Sequence, residues 1–276
     1  MEVVTLGTGS PIPDPNRAGP ATLVRAGGRQ FLFDCGRGVL LRLAGAGALP
    51  ITLSALLLTH LHSDHTTDLN DVLTTRWVMS PVPLPLEVFG PVGTEAFVDA
   101  TVTAMATDIG YRLGHHADLT EPPGVAVTEV ASGVVVSSDE VVITCAPTDH
   151  APVHPTVGYR IAADGAVVVV AGDTIPCAGL DTLVEGADVY VQTVVRPSLI
   201  EQIPSARLHD VLDYHSSVVQ AAETARRGGV QTLVLTHLVP APFPGTEGDW
   251  IAEAAAHFDG EVIVAVDGWS RTVGST

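Results

Sequence analysis

The chain has 276 residues, 46% of them hydrophobic, and a formal charge of −18 set by 31 acidic side chains against 13 basic ones. Every base is an arginine; the sequence has no lysine. Gripping a polyanion takes clustered Lys and Arg that displace counterions from phosphates. The longest basic cluster here is Arg226-Arg227, near the end of an expected helix whose dipole accounts for it. The balance therefore predicts a solvated acidic surface and disfavours a polyanionic partner. The longest apolar runs, such as Ala166–Ala171, fall far short of the ~20 residues a membrane span requires, so no membrane partner is expected either.

In chain order, the amino terminus carries Glu2 where a signal peptide would carry a base, and it enters the strand-like run Val3–Leu6. A cytoplasmic protein is expected. Further β-branched runs follow at Thr22–Arg25, Gln30–Phe33, Ala55–Leu58, Glu87–Phe89, Val141–Cys145, Val157–Ile161, Val167–Val170, Val189–Thr193, Thr232–Leu235 and Val262–Val266, with helical stretches between them. That mixture predicts an α/β protein whose sheets are covered by helices. No repeat or linker divides it, so residues 1–276 read as one domain. Residues 79–123, rich in Pro and Gly at both ends, read as an excursion carrying a helix near Thr94–Ala106 and as a substrate-selecting insertion. The best-marked helix runs from about Ser217 to Arg227, opened by a Ser217/Gln220 capping box and stopped by Gly228-Gly229. Cys35, Cys145 and Cys177 are far apart and form no C-x-x-C pair, which argues against both a disulfide framework and a thiolate zinc site.

The chemistry concentrates after the run Ala55–Leu58. His60, His62 and Asp64 fall at alternate positions, and His65 opens a helix. In extended backbone alternate residues project to one side, so three ligands can converge while the helix presents a fourth. Imidazole nitrogens and carboxylate oxygens suit zinc and similar divalent ions, and two such ions roughly 3.5–4 Å apart can share a nucleophilic hydroxide. Isolated histidines are usually structural, but four ligand side chains within six residues point to metal.

The H-x-H-x-D-H run, with Asp34 in Phe31-Leu32-Phe33-Asp34-Cys35-Gly36 upstream, resembles the metallo-β-lactamase-fold superfamily. Leu6-Gly7-Thr8-Gly9-Ser10-Pro11 with Arg17, Thr148-Asp149-His150, Gly158-Tyr159-Arg160, Ala171-Gly172-Asp173-Thr174, His215-Ser216-Ser217 and Leu235-Thr236-His237 extend the likeness to its ribonuclease Z and arylsulfatase-like branch. The resemblance implies a four-layered αββα sandwich, often a homodimer, with two divalent ions. Zn2+ is the first expectation, with Mn2+ or Fe2+ as alternatives. His60, His62 and His150 would hold one ion, Asp64, His65 and His237 the other, and Asp173 would bridge them. It also implies that a metal-bridging hydroxide attacks the substrate, that Asp64 orients the attacking water, and that His215 assists the leaving group. Where ribonuclease Z relatives carry a His-Glu pair, this chain has Gln192-Thr193, so the support of His215 has to come from elsewhere.

The expected function is thus a dinuclear metal-dependent phosphodiesterase or related ester hydrolase. A small or modest-sized ester is the expected substrate, and transfer RNA is disfavoured by the acidic, lysine-free chain. The alternatives are a ribonuclease Z-type transfer-RNA 3′-endonuclease, or an arylsulfatase, lactonase or thioesterase using the same ions.

Overall fold

In the computed structural model, which describes residues 1–274, the strands fall into two sets of seven. The first set is β1 (Glu2–Gly7), β2 (Ala21–Ala26), β3 (Arg29–Phe33), β4 (Ala55–Leu57), β5 (Leu86–Gly90) and β6 (Val125–Glu129), joined at its edge by the last strand of the chain. The second is β7 (Gly133–Ser137), β8 (Val141–Pro147), β9 (Val157–Ala163), β10 (Ala166–Val170), β11 (Val189–Val195), β12 (Thr232–Val239) and β13 (Glu261–Val264). That last strand, β14 (Trp269–Thr272), crosses back to pair antiparallel with β1.

Burial on both faces explains the nearly continuous apolar strands. Val168 and Val170 of β10 point into the layer between the sheets, beside Phe31, Phe33, Ile143 and Tyr159. Val169, between them, packs outward on the helices Ala178–Val184 and Val218–Gly228, against Leu183, Ala221 and Ala225. The outer face of the first sheet is covered in the same way by Val39–Gly45, Leu69–Met79 and Thr94–Ala104. The expected αββα sandwich is therefore what forms. Residues 79–123 contain β5, an interior strand of the first sheet, as well as the helices Thr94–Ala104 and Ala106–His115.

Each sheet is antiparallel on one side and parallel on the other. β3, β4, β5 and β6 run parallel, as do β10, β11, β12 and β13. Ligands of open parallel sheets gather beyond the carboxyl ends of the strands, and here those ends from both sheets meet along one edge. Buried hydrogen bonds hold them together: Tyr159 Oη donates to the Leu58 carbonyl at 2.8 Å, and Val157 N to the Thr59 carbonyl at 2.9 Å. The edge is therefore a rigid seam between the layers.

Candidate metal centre

Four loops from the seam and one bulge build the centre. After β4 the chain passes through Leu58 and Thr59 and presents His60 and His62, and the turn of helix Ser63–Thr66 adds Asp64 and His65. After β10, Gly172 takes a φ of +68°, and a Cβ there would lie 2.6 Å from Thr59 Cβ, so only glycine lets the Asp173 loop close on the His60 loop. Between β8 and β9 comes His150; ahead of the capped helix Val218–Gly228 comes His215. His237 departs from expectation. It lies inside β12, where two residues, His237 and Leu238, stand opposite the single Val194 of β11. The bulge puts His237 at a φ of +51° and re-aims its ring into the seam.

Thr174 ties the loops together. Its hydroxyl accepts from Asp149 N at 3.0 Å, and its carbonyl accepts from Ser216 N at 2.9 Å and Ser216 Oγ at 2.7 Å. His150, Asp173 and His215 are thus fixed by one residue. Four of the rings are also held from behind. His65 Nδ1 meets Asp34 Oδ2 at 2.8 Å, and the same carboxylate accepts from Thr59 N and Thr59 Oγ1. His60 Nδ1 lies 3.0 Å from Thr59 Oγ1, His150 Nδ1 2.8 Å from the Tyr214 carbonyl, and His215 Nδ1 3.0 Å from the Val211 carbonyl. The support of His215 is therefore a main-chain oxygen. Gln192 and Thr193 do another job, since Thr193 Oγ1 donates to the Gly172 carbonyl at 2.9 Å and braces the Asp173 loop.

With their rear nitrogens so committed, the front nitrogens converge. His60 Nε2 and His150 Nε2 approach His62 Nδ1 to 3.0 and 3.3 Å. In neutral rings whose N–H groups point backward, the front atoms carry lone pairs, and one proton on His62 can satisfy only one of them. Lone pairs gathered this closely are a cation site. Asp173 faces both halves: Oδ2 lies 3.8 Å from His60 Nε2 and from His150 Nε2, and 3.6 Å from His237 Nε2, while Oδ1 lies 3.4 Å from His65 Nε2. Candidate ligand atoms of His60, His62, His150 and Asp173 lie within 4.8 Å of one another, as do those of Asp64, His65 and His237. His215 Nε2 reaches Asp173 Oδ2 at 3.1 Å. All eight residues singled out in the sequence, the seven proposed ligands and His215, are thus brought together.

Electrostatics agree with metal. Burial holds His60 well below its ordinary pKa and brings His150 down to about 4. Burial alone would raise Asp173, but the charges of His237, His65 and His215 outweigh it and leave the carboxylate well below its usual range. Burial likewise works to lower His65, and there Asp173 and Asp34 prevail and raise it. Neutral imidazoles in one half and a deeply ionised carboxylate are the ligating forms; protons stand in for a cation in the other half. His65 Nε2, Asp173 Oδ1 and His237 Nδ1 are buried and without a hydrogen-bond partner, a cost that a bound ion would relieve for those atoms that face it.

Residues 29–238 match the Beta-lactamase superfamily domain. The chain is 58% identical over 269 residues to a protein of Mycolicibacterium paratuberculosis named ribonuclease Z, covering 97% of this chain and 96% of that one. A ribonuclease Z of Mycobacterium avium is 59% identical over the same shares. The chain belongs to the ribonuclease Z family of the β-lactamase superfamily. Its fold is also that of the metallo-β-lactamase fold protein YhfI from Bacillus subtilis (TM-score 0.75, 24% identity, 98% of each chain) and of human tRNase Z, short form (TM-score 0.73, 23% identity, 99% of each chain).

Membership in the ribonuclease Z family makes the chain a metal-dependent hydrolase, and it overturns one expectation. A small or modest-sized ester as partner, with RNA disfavoured by the charge of −18, conflicts with relatives named as ribonucleases that match from end to end. The error was physical. A summed charge counts side chains over the whole surface, whereas the field at a metal centre includes the ions themselves. Several supports were also missed: Thr59, Thr174 and the carbonyls of Val211 and Tyr214 act through contacts with residues distant in sequence. The sequence shows a Thr next to His60, Asp173 and His237, but its burial and its bonds arise only on folding. No helix among the described residues is long and apolar enough to cross a membrane.

Proposed function

We propose that the chain is an endoribonuclease that hydrolyses a phosphodiester at the 3′ end of precursor transfer RNA. The observation that carries this reading is the 58% identity to a ribonuclease Z across nearly the whole of both chains. We assign His60, His62 and His150 to one divalent ion and Asp64, His65 and His237 to a second, with Asp173 between them. The nitrogen-rich set suits zinc, with Mn2+ or Fe2+ as alternatives. Bound there, the ions would activate water at neutral pH and offset negative charge building at phosphorus.

The protein's own groups do the rest. Asp64 Oδ2, which lies 3.1 Å from His237 Nε2, faces the same space as Asp173 and orients the attacking water. His215 has Nδ1 committed to Val211, so Nε2 is the atom that hands a proton to the departing oxygen. His62 is the least buried of the ligand histidines and marks the side from which the RNA strand enters. Beside it, Phe97 and Met105 from residues 79–123 line a groove with Leu61 and Ser63, and we assign that segment a part in selecting the substrate's shape. The reading places the protein with its RNA substrate in the cytoplasm.

A side-by-side assay of a precursor transfer RNA, a chromogenic phosphodiester, an aryl sulfate and a lactone tests this. The expected result is precursor RNA cleaved with a far higher kcat/KM than any small ester. Small esters turned over as well as the RNA would overturn it.

A further inference from the structure

An acidic chain that cuts RNA needs local positive charge around its metal centre. Most of its arginines are already committed: Arg42 pairs with Asp267 at 2.9 Å and Arg196 with Glu253 at 2.8 Å, while Arg76 is buried against the carbonyls of Pro50, Leu53 and Leu84. Residues 79–123 offer no free cation, because their Arg112 is held by Asp108 at 2.7 Å. Among the described residues only Arg37, Arg207 and Arg226 are exposed with neither an ion pair nor a side-chain hydrogen bond.

Two of the three stand on backbone that leads to the centre, one after a strand of each sheet. Arg37 follows Gly36, where a Cβ would lie 2.2 Å from the Asp64 carbonyl oxygen, so its backbone rests against the turn that presents Asp64 and His65. Arg207 sits on the short helix Ala206–Asp210, four residues before Val211, whose carbonyl holds His215. Arg226 is elsewhere: it lies eight residues into the helix that follows His215, about 12 Å along the axis from its start.

We propose that Arg37 and Arg207 grip backbone phosphates of the RNA on either side of the scissile bond, an inference that rests on the ribonuclease reading above. A guanidinium with no carboxylate to release has its donors free for bidentate contact with phosphate oxygens. Two such contacts, placed at the centre, give affinity that net charge does not reveal.

The test is kcat and KM for a precursor transfer RNA over a series of salt concentrations, using wild type, Arg37→Ala, Arg207→Ala, the double variant and Arg226→Ala. The double variant should raise KM about tenfold with kcat within about twofold. Its log kcat/KM against log salt should flatten by roughly 1.4–1.8, or 0.7–0.9 per lost phosphate contact. The double Arg→Lys variant, keeping the charges, should recover most of that slope, and Arg226→Ala should match wild type. A double variant with the slope and KM of Arg226→Ala overturns the inference, as does a loss confined to kcat. Wild type that leaves the precursor RNA uncut overturns the ribonuclease reading and this inference with it. Wild type that cuts it while the double variant behaves like Arg226→Ala overturns the inference alone.

Discussion

The floor and the mouth of this centre are built on opposite principles. On the floor, His60, His65, Asp173 and His237 are all but inaccessible, and the backs of the His60 and His65 rings are bonded to buried partners. Arg37 and Arg207, which we assign to the mouth, are exposed and uncommitted. Preorganised ligands lose no freedom when charge develops in the reaction. Free arginines keep their donors for a partner that arrives later. The contrast separates two questions that the sequence merges: in the proposed account the floor decides how water is activated, and the mouth decides which phosphodiester reaches it.

Breaking the floor should have the largest effects. Asp173→Ala removes the one carboxylate shared by both halves of the centre and should take RNA cleavage below detection and reduce bound metal, checked by elemental analysis beside the assay. His215→Ala should lower kcat by about 10²–10⁴ while leaving bound metal unchanged, a split that separates a proton donor from a ligand. Asp34→Ala or Thr59→Val, which remove the partner behind the His65 or the His60 ring, should weaken metal binding by roughly 10–100-fold, read by titration with a competing chelator. The smallest effects belong to the mouth, where Arg37→Ala alone should raise KM a few-fold for RNA. If Arg37→Ala were to cost as much as His215→Ala, the separation of floor from mouth would fail.

The local half of the floor was legible because His60, His62, Asp64 and His65 lie within six residues of one another. The distant half was not legible from spacing; His150, Asp173 and His237 came from family resemblance. The bulge at His237 leaves no trace in the sequence, since Leu238 and Val239 continue the apolar run of β12. Hydrogen bonds such as Asp34 to His65, 31 positions apart, are equally invisible before folding. Three strands also escaped the reading: β6, β7 and β14, each at the edge of a sheet. An edge strand has a neighbour on one side only and buries less. Val134 of β7 remains 65% exposed, so such strands lack the sustained burial that makes interior strands such as β10 conspicuous.

The most direct test is precursor transfer-RNA cleavage by the wild-type protein and Asp173→Ala, each stripped with a chelator and then given zinc. The stripped wild type should be inactive and recover its activity with zinc, while Asp173→Ala should stay inactive throughout. Cleavage that persists without metal, or in Asp173→Ala, would contradict the assignment of the buried His–Asp floor as the centre that cuts RNA.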